Sequence, residues 1–171
     1  MAEVARDPHI VVHGAGSIGC YVGAAWMLAG LPVTFIGRQS VKDEIAANGL
    51  TVTDSEKRRI EARPDEVDFS TEAKVLARGE IIALCVKSTG TEQAAKEIAR
   101  HARKGAVVIS FQNGVSNVDR LKAALPDQSI LWGMVPFNVA RMGNGRWHKG
   151  TAGALWAEDH PITRALEARI G

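Results

Sequence analysis

The sequence contains no long apolar run and no strong excess of charge of either sign. None of its apolar stretches approaches the ~20 residues that a membrane-spanning helix needs, so no membrane partner is expected. Its 21 basic and 19 acidic residues leave a formal charge of +2, and the basic residues are dispersed, which argues against nucleic acid as a partner. The one dense basic run, Lys57-Arg58-Arg59, is interpreted as a solvated hairpin turn.

Cysteine is scarce, and metal-ligand patterns are absent. Cys20 and Cys85 stand among apolar neighbours, which favours buried, inert thiols over a disulfide or a metal site. The five histidines show no ligand spacing with one another or with the cysteines, so no metal is expected. Residues 1–8 lack the apolar core of a signal peptide, and a cytoplasmic protein is therefore expected.

What the sequence does contain is an alternation of buried strands with helices. With 171 residues, 46% of them hydrophobic, the chain is long enough for one α/β domain and short for a two-domain enzyme. Apolar runs predict buried strands at 9–13, 32–36, 80–86, 106–111 and 129–132. Helical spacing predicts helices over 18–29, 41–47, 91–101 and 115–121. Thr91 would cap the third of these helices. This alternation predicts an α/β fold with a doubly wound, mostly parallel sheet.

Less regular segments add two hairpins and a final helix. Residues 50–53 and 59–62 flank a polar turn and are predicted to pair. A strand is predicted at 138–141, and a second hairpin at 146–148 and 152–157 around Lys149-Gly150. The last helix begins near Pro161, and nothing follows to cover its apolar residues Ile162, Leu166 and Ile170. We therefore expect one dinucleotide-binding domain, 1–171, truncated at the boundary to a further domain.

The strongest motif is Gly14-Ala15-Gly16-Ser17-Ile18-Gly19, a G-x-G-x-x-G between the first strand and the first helix. Gly14 permits the tight turn, Gly16 lets the backbone approach a pyrophosphate, and Gly19 lets helix and strand pack closely. The free amides and positive dipole end of the helix would face the phosphates. A plain turn punctuated by glycine is the alternative, which the strand-turn-helix context disfavours.

A second signal lies at the end of the second strand. An acidic residue about 20 residues beyond the glycine motif would hold the ribose 2′-hydroxyl of NAD. This sequence has Gly37-Arg38 there instead. A guanidinium forms paired, charge-assisted hydrogen bonds to a 2′-phosphate, so Arg38 predicts NADP(H), with Ser40 or Lys42 as further contacts. The alternative is an ordinary solvated arginine.

A third signal is positional. Lys87 follows the strand EIIALCV, and Gln112-Asn113-Gly114 follow the strand AVVISF. Ligands of open α/β sheets bind outside the carboxyl ends of the strands, so both segments are predicted to border the crevice of the glycine motif. A solvated lysine and a simple Asn-Gly turn are the alternatives.

These motifs together resemble the ketopantoate reductases (2-dehydropantoate 2-reductases). GAGSIG, the GR after the second strand, VKS at 86–88 and QNG at 112–114 occur in the order and spacing of that family, and the resemblance spans essentially the whole chain. It implies a Rossmann-like domain and the NADPH-dependent reduction of a 2-keto acid, 2-dehydropantoate, to pantoate on the route to pantothenate and coenzyme A.

The resemblance also implies roles for individual residues. Gly14 to Gly19 would bind the pyrophosphate and Arg38 the 2′-phosphate. Lys87 would lie near the nicotinamide half of the cofactor, and Asn113 would contact the nicotinamide ribose and the substrate. Asn138 belongs to a loop, 134–139, that would close over the nicotinamide.

The resemblance implies a proton donor that is a lysine of an all-helical C-terminal domain, and we expect these 171 residues to stop before that lysine. Lys87 matches a different family position, so no catalytic residue is assigned here. We expect the chain to bind cofactor and to be inactive alone. A homodimer is among the assemblies that the resemblance allows.

Two other functions are retained as alternatives. The first is the reduction of another 2-keto acid, since the missing domain would choose the substrate. Octopine-type and glycerol-3-phosphate dehydrogenases share the general pattern, but VKS and QNG fit them less well. The second is a stand-alone nucleotide-sensing module like those attached to potassium channels. Such modules usually carry an acidic residue at the position of Arg38, which counts against this alternative.

Overall fold

The computed structural model describes residues 7–114 and 116–170. The strands are β1 (Ile10–His13), β2 (Val33–Ile36), β3 (Leu50–Asp54), β4 (Arg59–Ala62), β5 (Asp68–Ser70), β6 (Ile81–Leu84), β7 (Val107–Ser110), β8 (Ser129–Met134), β9 (Val139–Gly143), β10 (Arg146–Lys149) and β11 (Trp156–Ala157). The α-helices are α1 (Ser17–Leu28), α2 (Gln39–Asn48), α3 (Thr91–His101), α4 (Ser116–Ala124) and α5 (Pro161–Ile170).

The larger of two sheets has seven strands in the order β11-β8-β7-β6-β1-β2-β5. All of its pairings are parallel except that of β11 with β8. The four strands β1, β2, β6 and β7 are buried on both faces, which is why apolar residues dominate them in the sequence. From β1 the chain builds β2 and β5 on one side and β6, β7 and β8 on the other. The sheet is therefore doubly wound, as predicted, with its switch point between β1 and β6.

The smaller sheet has four strands in the order β4-β3-β10-β9. The hairpin of β3 and β4 confirms the pairing predicted for 50–53 with 59–62. All three residues of the basic run are exposed, and Lys57 and Arg58 lie in the turn as predicted, whereas Arg59 begins β4. The second predicted hairpin is wrong. β10 pairs with β9 and, in parallel, with β3, whereas β11 pairs with β8 in the large sheet. β5 and the 3-10 helical segments between β4 and β6 were not predicted.

Helix α1 lies between the two sheets and contacts β1 and β2 on one side and β3, β4, β9 and β10 on the other. Because the helix is packed on two sides, its buried residues are not confined to one face. Cys20, Tyr21 and Ala24 are buried together with Val22 and Trp26. Helices α3 and α4 cover the opposite face of the large sheet in a second apolar core.

Three further predictions concern helix ends and thiols. The helix predicted over 115–121 is α4, and Val115 lies outside the described residues. The terminal helix forms as predicted, but Leu166 is buried in the core around α1, so the expectation that its apolar residues stay uncovered is wrong for Leu166. Burial raises the pKa of the free thiols Cys20 and Cys85, that of Cys85 to about 12, so both are protonated and unreactive at neutral pH.

Candidate cofactor-binding site

The glycine motif forms a tight turn between β1 and α1. Gly14 has a φ of +106°, and a Cβ atom there would lie 2.6 Å from the backbone nitrogen of Val86. The amides of Gly14 and Ala15 both donate to the carbonyl of Ile36, at 3.0 and 2.8 Å. The turn is therefore held against the carboxyl ends of both β2 and β6, the strands on either side of β1.

The other two glycines of the motif differ in their surroundings. A Cβ atom on Gly19 would lie 2.2 Å from the carbonyl oxygen of Gly14, so only glycine lets α1 approach the turn this closely. A Cβ atom on Gly16 would meet nothing within 4 Å. The side of the turn at Gly16 is thus open space, where a ligand can reach the backbone.

The amino-terminal end of α1 is free to bind an anion. Gly16 stands at its N-cap position, no side chain caps the helix, and its first turn, which contains Ser17 and Ile18, has no acidic residue. The first amides of a helix lack partners within the helix and carry its positive dipole end. Together with the open side of Gly16, this arrangement suits a phosphate or pyrophosphate.

Arg38 lies at the end of β2, next to the glycine turn. Gly37 packs so closely on the turn that a Cβ atom there would lie 2.9 Å from the Cβ of Ala15. Arg38 is exposed and stands at the N-cap of α2, whose first turn also has no acidic residue. Ser40 is exposed and Lys42 half-buried in the same turn. A guanidinium and a second helix amino terminus therefore stand beside the turn.

Lys87 and Asn113 follow the ends of β6 and β7, and both are exposed. The Ser88 hydroxyl donates to the carbonyl of Asn113 at 3.4 Å, which brings the two segments together. Asn138 lies apart from them in the connection from β8 to the small sheet. Its amide donates to the Thr151 hydroxyl, and its carbonyl accepts from the Gly150 amide, both at 3.0 Å.

Sequence reasoning missed a buried histidine beside the turn. His13 ends β1 directly before Gly14, and only 6% of its surface is exposed. Its Nε2 lies 2.8 Å from Oε2 of Glu97 on α3, and its Nδ1 has no partner among the described residues. Burial lowers the pKa of His13 below its ordinary value, and Glu97 partly opposes this shift. The signal in the sequence was a polar residue inside an apolar strand run.

Three buried polar residues under the Lys87 and Asn113 segments were also not assigned to the site: Thr91, Gln112 and Asn117. The prediction that Thr91 caps α3 is wrong. The helix has its N-cap at Gly90, and the Thr91 hydroxyl lies between Gln112 and the Ser88 carbonyl instead. The spacing of residues in the sequence does not show this arrangement, because Gln112 belongs to the loop after β7, the next strand of the sheet.

Two classes of site find no support within the described residues. Nowhere in 7–114 and 116–170 do three side chains of the metal-binding types converge. Over the same parts of the chain, no helix combines the length and the apolar character needed to cross a membrane.

Comparison with known proteins identifies the family. A model described as "Ketopantoate reductase PanE/ApbA" matches residues 10–161. A 2-dehydropantoate 2-reductase of Halobacterium salinarum is 31% identical, over 80% of this chain and 44% of its own length. A PanE/ApbA family ketopantoate reductase of Ralstonia eutropha, a crystal structure, superposes with a TM-score of 0.84 at 29% identity. That match covers 95% of this chain and 54% of the other.

The same pattern extends to a related class of dehydrogenase. A glycerol-3-phosphate dehydrogenase [NAD(P)+] of Rhizobium etli is 28% identical, over 94% of this chain and 50% of its own length. The chain thus spans about half the length of the curated relatives that it matches. Because the family model covers most of the sequence, the chain belongs to the ketopantoate reductase family PanE/ApbA, a family of oxidoreductases.

Proposed function

We propose that this chain is the NADPH-binding domain of a reductase that converts 2-dehydropantoate to pantoate, on the route to pantothenate and coenzyme A. The observation that carries the proposal is the uncapped, acid-free amino terminus of α1 behind an open glycine turn, with Arg38 at the neighbouring strand end. The substrate comes from the names of relatives such as the Halobacterium protein. The expected cytoplasmic location is part of the same proposal.

In this proposal each end of the site holds one part of the cofactor. Bound NADPH supplies a hydride to the keto carbon of a substrate. The backbone from Gly14 to Gly19 binds the pyrophosphate, and Arg38 binds the 2′-phosphate that distinguishes NADPH from NADH. Lys87 lies along the nicotinamide half. Asn113 would contact the nicotinamide ribose and the substrate.

Asn138 holds a different position, since it sits on the loop from β8 to β9. In the proposal, this loop covers the nicotinamide face of the site. The backbone of Asn138 is hydrogen-bonded to Gly150 and to the Thr151 hydroxyl, which connects this loop to the segment after β10. The acid that protonates the developing alkoxide and most of the substrate pocket belong to a second domain, as the resemblance implies. We therefore propose that residues 1–171 bind cofactor without turning over substrate.

A titration with the two dinucleotides tests this function. At matched ionic strength the chain should bind NADPH about tenfold or more tightly than NADH, as one charge-assisted clamp on a phosphate would give. Arg38→Ala should abolish the preference by weakening NADPH and not NADH. Arg100→Ala is the matched control, because Arg100 is an exposed arginine on α3. In the same samples 2-dehydropantoate should not be reduced.

Each contrary result points to a named alternative. Equal binding of NADPH and NADH by the unaltered chain would remove the NADP assignment and favour an NAD-dependent enzyme or a nucleotide sensor. Turnover of 2-dehydropantoate by the chain would contradict the assignment of the proton donor to a second domain. A protein that joins this chain to such a second domain can also be assayed. If it reduces a different 2-keto acid in preference to 2-dehydropantoate, the proposed substrate is wrong and the proposed cofactor stands.

A further inference from the structure

A compact set of buried polar side chains joins the loops that follow β6 and β7. We call Thr91, Gln112 and Asn117 the loop clamp; they are 4%, 8% and 3% exposed. Buried polar groups cost free energy unless they are hydrogen-bonded, and those of the loop clamp have partners. Their partners are the backbone and side chains of the two segments that carry Lys87 and Asn113.

Gln112 reaches from the β7 loop to the β6 loop. Its Nε2 donates to the carbonyl of Val86 at 3.0 Å and to the hydroxyl of Thr91 at 2.8 Å. The Thr91 hydroxyl in turn donates to the carbonyl of Ser88 at 2.9 Å. Both residues flanking Lys87 are therefore held through their carbonyl oxygens by one chain of hydrogen bonds that begins on the neighbouring loop.

Asn117 completes the connection from α4. Its Nδ2 donates to the carbonyl of Asn113 at 2.8 Å and to the hydroxyl of Ser88 at 3.1 Å. Both hydrogens of the amide are thus used, one on each loop. A side-chain amide has two donor hydrogens, so Asn117 and Gln112 have no donor left for a ligand.

We propose that Thr91, Gln112 and Asn117 are positioning residues that fix Lys87 and Asn113 relative to each other at the nicotinamide end of the site. The inference rests on the proposed function for the identity of that end. All three are buried, so we assign them no contact with the cofactor. They act by holding the backbone from which Lys87 and Asn113 extend, so that both side chains are preorganised when the dinucleotide binds.

The sheet order separates this effect from the other end of the site. β6 and β7 lie on one side of β1, whereas β2, which leads to Arg38, lies on the other. Loss of the loop clamp should therefore disturb binding of the nicotinamide half and leave binding of the 2′-phosphate half intact. A general destabilisation of the fold would instead weaken binding at both ends of the site.

The experiment uses the full 171-residue chain and two ligands. NADPH probes both ends of the site, and adenosine 2′,5′-bisphosphate probes the Arg38 end without a nicotinamide. Thr91→Val removes the hydroxyl at nearly constant volume, and Thr91→Ser is the matched control that keeps it. Asn117→Ala removes the second connection. We expect Thr91→Val and Asn117→Ala to weaken NADPH by about fivefold or more, as loss of a buried hydrogen bond would give.

The same two variants should leave adenosine 2′,5′-bisphosphate binding unchanged within a factor of about two, and Thr91→Ser should behave like the unaltered chain. The change in nicotinamide fluorescence on NADPH binding should also shrink in Thr91→Val and Asn117→Ala only. Equal weakening of both ligands, or no weakening of either, would overturn the proposal.

Hydrogen exchange of the ligand-free protein separates failure of this inference from failure of the proposed function. If the unaltered chain binds no dinucleotide, the proposed function fails, but the loop clamp remains testable. Thr91→Val should then speed exchange in both peptides, 86–90 and 111–114, and leave 37–40 unchanged. Exchange that rises in one loop alone, in all three segments or in none would refute the coupling.

Discussion

Gly16 and Gly19 are three residues apart in one motif, but glycine is present at the two positions for different physical reasons. At Gly19 the nearest obstacle to a side chain is the protein's own backbone, 2.2 Å away, whereas at Gly16 the space is open. The backbone at Gly16 is extended, with φ −91° and ψ −155°, a conformation that alanine also adopts. Gly19 is thus required by the fold, whereas no contact among the described residues requires glycine at position 16.

This difference leads to opposite expectations for two alanine substitutions. Gly19→Ala should lower the free energy of unfolding by about 1–3 kcal/mol, because α1 must shift away from the turn. Gly16→Ala should cost less than about 1 kcal/mol and still weaken NADPH strongly, because the new methyl group projects toward the ligand. Urea unfolding and NADPH titration of both variants provide the measurement. A Gly16→Ala protein that binds NADPH normally would contradict a pyrophosphate at this turn.

At the scale of elements, helix α5 was predicted to leave its apolar residues uncovered, but it packs against the core of the domain. Its first residue, Pro161, and its helical spacing were readable in the sequence. What was not readable is that Leu166 is buried in the core around α1, with Ile162 partly buried beside it. The helix therefore contributes packing of its own to the fold.

Leu166→Ala tests this packing. Removing a buried leucine side chain should lower the free energy of unfolding by about 2–4 kcal/mol through lost burial and the cavity left behind. Leu28→Ala is the control on α1, since Leu28 is 64% exposed and its loss should have little effect. The two proteins are compared by chemical denaturation. Similar small effects for both would show that α5 contributes no packing through Leu166.

At the scale of the whole molecule, one titratable group connects the sheet to its helical layer. His13 belongs to the central strand, and its partner Glu97 to α3. Because burial lowers the pKa of His13, the unfolded chain takes up a proton at a higher pH than the folded protein does. Stability from the neutral histidine is therefore present above the ordinary pKa and is lost as the pH falls toward the lowered one.

We accordingly expect the free energy of unfolding to fall between about pH 7.5 and pH 5.5, the range just around the ordinary histidine pKa. In His13→Gln, which has an amide able to donate to Glu97, this fall should be smaller. His101→Gln is the control, because it removes a histidine at the end of α3 without removing either member of the His13–Glu97 pair. Urea unfolding of each protein at both pH values measures the change in the free energy of unfolding. An unchanged pH dependence in His13→Gln would show that another group is responsible.

Much of the molecule could be predicted because its signals are local. Runs such as Ile81–Leu84 are apolar throughout, since a strand buried on both faces favours apolar side chains at every position. The pairing of β3 with β4 follows from a short polar turn, and Gly49, with φ +77°, ends α2 where the Asn-Gly signal placed it. The glycine motif, Arg38, Lys87 and Asn113 were placed at strand ends by the same local reasoning.

What the sequence by itself determined is therefore the order of elements, the doubly wound sheet and the candidate residues along its carboxyl edge. Only the tertiary structure decided which distant segments meet. β10 pairs with β3, so Arg146 faces Thr51 although 94 residues separate them in the chain, and no turn signal encodes that partner. Thr91 likewise binds Gln112 rather than capping its helix. Contacts of this kind depend on how the two sheets pack around α1 and on how neighbouring loops pack together. Their free energy arises only in the assembled fold and is not a property of any one segment.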